Sequence, residues 1–151
     1  MDAMPRPVSP HPVFAASGDV TRELLKVLRA REAKTASEMV ARFVADFGSE
    51  TGAVALATGL ATGIAVGTGL WRDTPRVGGA RVELADGDLP DSVPLFDADA
   101  DGYAARRELA RQFMQLFLND DEDSSLRAIR RGKVDPTALL YGLCEMAATA
   151  W

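Results

Sequence analysis

The residues best placed to do chemistry stand in one run, Asp97 to Glu108, which reads DADADGYAARRE. Asp97, Asp99 and Asp101 alternate with alanine, Gly102 follows them, and Glu108 closes the run. Alternate residues of a tight turn point their carboxylates inward, so the three aspartates can converge. A hard cation such as calcium takes about six to eight oxygen ligands, which is the chemistry such a cluster offers. Other versatile side chains are scarce. His11 is the single histidine and lies between prolines, and Cys144 is the single cysteine. They supply no Cys/His zinc cluster, no HExxH helix and no CxxC pair. A Ser-His-Asp triad would have to recruit His11 from a proline-rich segment. The expectation is a protein with no catalytic residues, no organic cofactor and no enzymatic activity.

The spacing of this run resembles the loop of the EF-hand calcium-binding family. Acid stands at loop positions one, three and five, glycine at six and glutamate at twelve. The resemblance implies that Asp97, Asp99 and Asp101 ligate calcium and that Gly102 makes the sharp bend. It implies the Tyr103 carbonyl as backbone ligand, a water near Ala105, and two oxygens from Glu108 on the outgoing helix. The flanks agree in part: Phe96, Val93 and Leu89 precede the loop at helical spacing, and Leu109, Phe113 and Leu116 follow it. The likeness covers Leu89 to Leu116 and no more. Pro90 and Pro94 disfavour a full incoming helix, and Ala104 stands where the family has a branched apolar residue. Residues 127–138 carry Arg127, Ile129 and Arg131 at ligand positions, so a second binding loop is lacking. The competing reading is an acidic loop that caps the next helix, with Asp99 or Asp101 as N-cap and Glu108 as a surface residue.

The elements that must position this run read as helices. Asp19 is an expected N-cap for a helix whose apolar positions run from Val20 and Leu24 to Phe43 and Phe47. Its middle, Arg29 to Ser37, is weakly apolar, so a bend or break is expected there, and Gly48 is the expected stop. Residues Thr51 to Trp71 carry no charge, and Gly59, Gly63 and Gly67 lie four apart on one helix face. Such a strip lets another helix come close. The length suits a membrane span, but threonines and glycines erode the apolar gain, so a buried central helix is expected. Pro75 is the expected end of this element. Residues 72–96 read as an irregular connector with a possible short strand at 80–84. A helix from near Tyr103 to Asn119 follows, then a short one around Ser124 to Arg131. Asp135-Pro136 supplies an N-cap and a first-turn proline for the last helix, whose apolar side is Leu139, Leu140, Leu143, Met146 and Ala147. Arg106, Arg107 and Arg111 read as solvated helix charges, Cys144 as a small core residue, and Trp71 and Trp151 as packing residues or interface anchors.

These readings give a mostly α fold: a helical bundle of four to five helices, with residues 1–16 as a Pro-rich tail and 17–151 as one domain. The 151 residues, 47% of them hydrophobic and 26% charged, suffice for one core. The net charge of -5, from 17 basic and 22 acidic residues, lacks the basic footprint of a nucleic-acid binder. The N-terminal sequence is acidic and Pro-rich, unlike a signal peptide, and a lone cysteine suits a reducing compartment, so a cytoplasmic location is expected. The leading functional expectation is a small helical interaction protein, with a protein partner or as a homo-oligomer, as a subunit of a larger assembly. Calcium binding at Asp97, Asp99, Asp101, Tyr103 and Glu108 is the alternative, and membrane association through residues 51–71 the second.

Overall fold

The computed structural model describes residues 12–69, 89, 95–96, 100–119 and 121–150. They form helices α1 (Pro12–Arg29), α2 (Ala33–Phe47), α3 (Ala53–Thr68), α4 (Ala100–Leu118), α5 (Glu122–Arg130) and α6 (Pro136–Ala147). A π-helical turn, Gly48–Gly52, joins α2 directly to α3, so the two count as one element and the bundle as five helices. The protein is mostly α, as its periodicity implies, and no strand occurs among the described residues. The possible strand at 80–84, most of the connector, Trp71 and Trp151 lie outside the described residues.

Several expected boundaries shift for identifiable reasons. Residues 12–16, assigned above to the tail, are the first turn of α1. Pro12 suits a first helical position because its missing N–H has no partner there anyway. Asp19 is therefore not an N-cap. It lies inside α1 and pairs with Arg22 on the exposed face. The expected break between Arg29 and Ser37 occurs at Ala30–Glu32. There the Arg31 N–H donates to the Leu28 carbonyl (3.0 Å) and the Glu32 N–H to the Val27 carbonyl (3.1 Å), with Arg31 at φ 59°. This is a Schellman ending with arginine in the place glycine usually holds. The α2 helix stops at Gly48, whose φ of 102° only glycine takes without strain. Thr68 ends α3 ahead of Pro75, and Gly69 caps it in the left-handed region. The α4 helix begins before Tyr103, at Ala100. Asp135 caps α6 as the sequence implies, its carboxylate accepting from the Thr137 N–H at 2.9 Å.

The charge-free helix is central. Ala53 to Ala57, Leu60, Ala61, Ile64 and Ala65 of α3 are all buried, and α3 touches every other helix described. A helix without charge gains most from burial, and here the bundle supplies it, leaving only positions such as Thr62 and Val66 exposed. Leu24 and Leu28 of α1, Val40 and Phe43 of α2, Phe113 and Met114 of α4 and Leu139, Leu140, Leu143 and Met146 of α6 complete one core. Two crossings are unusually close. At Gly142 of α6 a Cβ would overlap the Arg106 carbonyl oxygen of α4 and stand 2.8 Å from its carbon. At Gly59 of α3 a Cβ would overlap the Thr21 hydroxyl of α1. The first crossing brings together the polar cluster described next.

Candidate functional site

Beginning with the acidic run, Asp97 and Asp99 lie outside the described residues. From Ala100 the chain is helix, so Asp101, Gly102 and Tyr103 belong to the first turn of α4 rather than to a loop. The sharp bend that the EF-hand likeness implies at Gly102 is thus not made. A carbonyl in that position accepts from the amide four residues on, which engages the Tyr103 oxygen within the helix. Glu108 stands two turns beyond Asp101 on exposed helix surface. Its carboxylate accepts from Arg111 Nε (3.0 Å), Arg111 Nη2 (2.6 Å) and Gln112 Nε2 (3.0 Å). The Arg111 and Gln112 bonds hold the Glu108 carboxyl below its ordinary value. No group of three or more His, Cys, Asp or Glu side chains gathers among the described residues.

The strongest polar constellation is one that the sequence reading missed. Arg106 is not a solvated charge. It is buried in the α4–α6 crossing, where it meets Glu145 of α6, which is only 1% exposed. The guanidinium forks onto the carboxylate: Nε donates to Oε1 at 2.8 Å and Nη2 to Oε2 at 2.7 Å. Bidentate pairing of this kind is the strong form of the ion pair. The Glu145 hydrogen bond raises the Arg106 guanidinium above its ordinary value, against the opposing effect of burial. Glu145 Oε2 also accepts from two consecutive main-chain amides, Leu95 N–H at 2.9 Å and Phe96 N–H at 3.4 Å. One carboxylate thereby ties α4, α6 and the residues ahead of α4 together.

The ring of Phe96 lies flat on Tyr141, one turn before Glu145 on α6. The centroids are 4.1 Å apart and the planes 15° from parallel. The Tyr141 hydroxyl is fixed in turn by Ser37 of α2 at 2.7 Å, either oxygen serving as donor. An open groove of roughly 470 Å³ runs beside this stack, lined by Ala33, Lys34, Ser37, Leu95, Phe96 and Tyr141. The sequence held one signal of the cluster. Glu145 is the only charge in Pro136–Ala147, and a lone charge in an apolar helix calls for a buried partner. Nothing local named that partner, since Arg106 is 39 positions away.

Cys144 is buried, as expected, and burial together with the Glu145 charge pushes its thiol well up. A thiol held protonated is a poor nucleophile. A second open groove lies between α1 and α3. Gly18, Thr21, Leu25, Ala55, Thr58, Gly59, Thr62 and Gly63 line it, none of them charged. Thr58 and Thr62 return their hydroxyls to the carbonyls of Val54 and Thr58, each at 2.8 Å. The Thr21 hydroxyl is buried and has no hydrogen-bond partner among the described residues.

No protein-family model, curated protein or solved structure matches this chain. Function must therefore be argued from these sites alone.

Proposed function

We propose that the chain is a small, non-enzymatic helical interaction protein, a subunit that works by presenting helix surfaces to a protein partner. The observation that carries this reading is the α1–α3 groove. Its lining is uncharged and made largely of Gly18, Ala55, Gly59, Gly63 and threonines whose hydroxyls are mostly turned back onto their own helix. Such a surface asks little desolvation of an incoming helix and permits close backbone approach. The simplest occupant is a second copy of the chain.

The test leaves the fold intact. A Cβ at Gly18 meets no atom within 4 Å, and Gly18 lines the groove, so Gly18→Lys is expected to bring a charge to the groove with little cost to the fold. Light scattering on the wild type is expected to give a mass above the 16.1 kDa of one chain, and on Gly18→Lys the mass of one chain. A wild type that is monomeric at every concentration, or association that Gly18→Lys leaves unchanged, counts against the reading.

Calcium binding at Asp97, Asp99, Asp101, Tyr103 and Glu108 is the second reading. It is supported by the exposed position of Glu108, whose carboxylate pairs with the surface side chains of Arg111 and Gln112, which an ion could displace. It requires the first turns of α4 to rearrange. Calorimetric titration of calcium into the wild type and Glu108→Gln decides: equal heats, or none, remove it. Membrane association is the third. The run Ala33–Thr68 is long and apolar enough to cross a membrane, but 56% of its most apolar window is buried inside the bundle. Recovery without detergent would set it aside.

A further inference from the structure

We propose that the α1–α2 face is a second, weaker contact between copies of this chain, in which two α2 helices lie antiparallel across a two-fold axis and each Arg42 pairs with the partner's Asp46. This goes beyond the α1–α3 groove and uses other residues, so either proposal can fail without the other.

The face is an open groove of roughly 280 Å³ lined by Val20, Met39, Arg42, Phe43, Asp46 and Phe47. Phe43 is its buried floor, and the Phe47 ring lies beside it with centroids 4.7 Å apart. Phe47 itself is 38% exposed, and the main chain sets its place. Gly48 turns at φ 102°, and Gly52 returns so closely that a Cβ there would stand 2.9 Å from the Phe47 carbonyl carbon. An aromatic held at the surface in this way loses little freedom when it is covered.

The charges select the occupant. Arg42 and Asp46 are exposed, and neither makes an ion pair or a side-chain hydrogen bond among the described residues, even with the other. One helical turn apart, they share an edge of α2. A two-fold axis perpendicular to two antiparallel helices brings like edges side by side. Placed level with Val44, midway between the two charges, that axis sets Arg42 against the partner's Asp46, and Asp46 against the partner's Arg42. It also lays Phe47 and Met39 along the apolar edge of the second copy. A parallel pair would set arginine beside arginine and aspartate beside aspartate. The patch covers about two turns of one helix, so the contact belongs to the weak, transient class.

Sedimentation equilibrium tests this on the Gly18→Lys chain, whose α1–α3 groove is blocked by a charge. That chain is expected to be a monomer when dilute and to approach a dimer as its concentration rises. A monomer at every concentration overturns the proposal. Adding Arg42→Glu or Asp46→Arg sets like charges against each other, and each is expected to weaken the dimer at least ~10-fold. An equal mixture of the two reversed chains again sets acid against base at both pairs, and is expected to regain the dimer. Association that survives both reversals belongs to another face and overturns the proposal. A mixture that associates no better than its components overturns the two-fold pairing. Both reversals fall on exposed side chains without partners among the described residues, so their melting temperatures are expected to match that of the parent chain. Should Gly18→Lys not fold, the same reversals and mixture are read in the otherwise wild-type chain, as loss and recovery of mass.

Discussion

The α4–α6 and α1–α3 crossings are built on the same device, a glycine under a close neighbour, yet they differ in what that neighbour is. At Gly142 it is the main chain of α4, and the space is enclosed further by the Ala110 Cβ at 3.3 Å. At Gly59 it is the end of a side chain, the Thr21 hydroxyl. The first crossing also carries a bidentate ion pair, while the second carries a hydroxyl with no partner among the described residues. Backbone cannot step aside without moving a helix, whereas a threonine can rotate. One seam is therefore fixed by geometry and charge, and the other has slack. The slack seam also borders the open, uncharged groove of Gly18, Thr58 and Thr62, on which the proposed docking of a partner helix rests.

The largest effect that would separate the two seams comes from the ion pair. Arg106→Ala leaves Glu145 buried with only two amides for company, and breaking a buried pair in this way costs about 3–5 kcal/mol. Urea unfolding is expected to show that loss, while the filled Arg106→Met/Glu145→Met variant loses less, about 1–3 kcal/mol, for the Leu95 and Phe96 amides it leaves without their acceptor. An Arg106→Ala chain as stable as the wild type would mean that the α4–α6 seam owes nothing to charge. Gly142→Ala comes next. The methyl group would meet main chain, the Arg106 carbonyl oxygen and carbon, so the overpacking cost is expected near the upper part of the usual range, about 3 kcal/mol, of which alanine's better helix propensity returns only roughly 1 kcal/mol. A neutral Gly142→Ala would show that α4 and α6 stand further apart than the structure places them.

The unequal seams also explain what could be read from the chain beforehand. The central place of α3 followed from its lack of charge together with its threonines and glycines, which favour a protein interior over a membrane. The start of α6 followed from Asp135-Pro136, where the cap and the proline act within a few residues. Local chemistry of that kind is written locally. The Arg106–Glu145 pair is not, since the burial of each depends on the other and on residues 95–96. Arg106 sits among Arg107, Glu108 and Arg111 and looks like one more surface charge until α6 is laid across it. The acidic spacing of 97–108 misled about local structure for a similar reason. Carboxylates at alternate positions fit a loop, but Ala100, Ala104 and Ala105 favour a helix, and the described chain from Ala100 follows them.

On the α1 side the expected effects are smaller. The α1–α2 ending places Arg31 at φ 59°, a conformation that costs a side-chain-bearing residue about 1 kcal/mol. The matching ending of α5 has Gly132 at φ 72°, with the Gly132 N–H on the Ile129 carbonyl at 3.0 Å and the Lys133 N–H on the Ala128 carbonyl at 2.9 Å. Arg31→Gly is therefore expected to stabilise by up to about 1 kcal/mol, and Gly132→Ala to destabilise by a similar amount. A loss on Arg31→Gly would mean that the exposed arginine contributes something the ending itself does not require.

The smallest effect is the most telling for the slack seam. Gly59→Ala gains helix propensity but crowds the Thr21 hydroxyl, and since that hydroxyl can turn, the net change is expected to stay within about 0.5 kcal/mol. Thr21→Ala removes both the crowding and a buried hydroxyl with no partner among the described residues, so in that background Gly59→Ala is expected to become stabilising by up to about 1 kcal/mol. The double-mutant cycle isolates this coupling. No coupling would mean that Thr21 and Gly59 do not meet, and the contrast between a backbone-locked and a side-chain-cushioned crossing would go with it. A strongly destabilising Gly59→Ala would mean instead that α1 is held as rigidly as α4, leaving the α1–α3 groove no freedom to fit a partner.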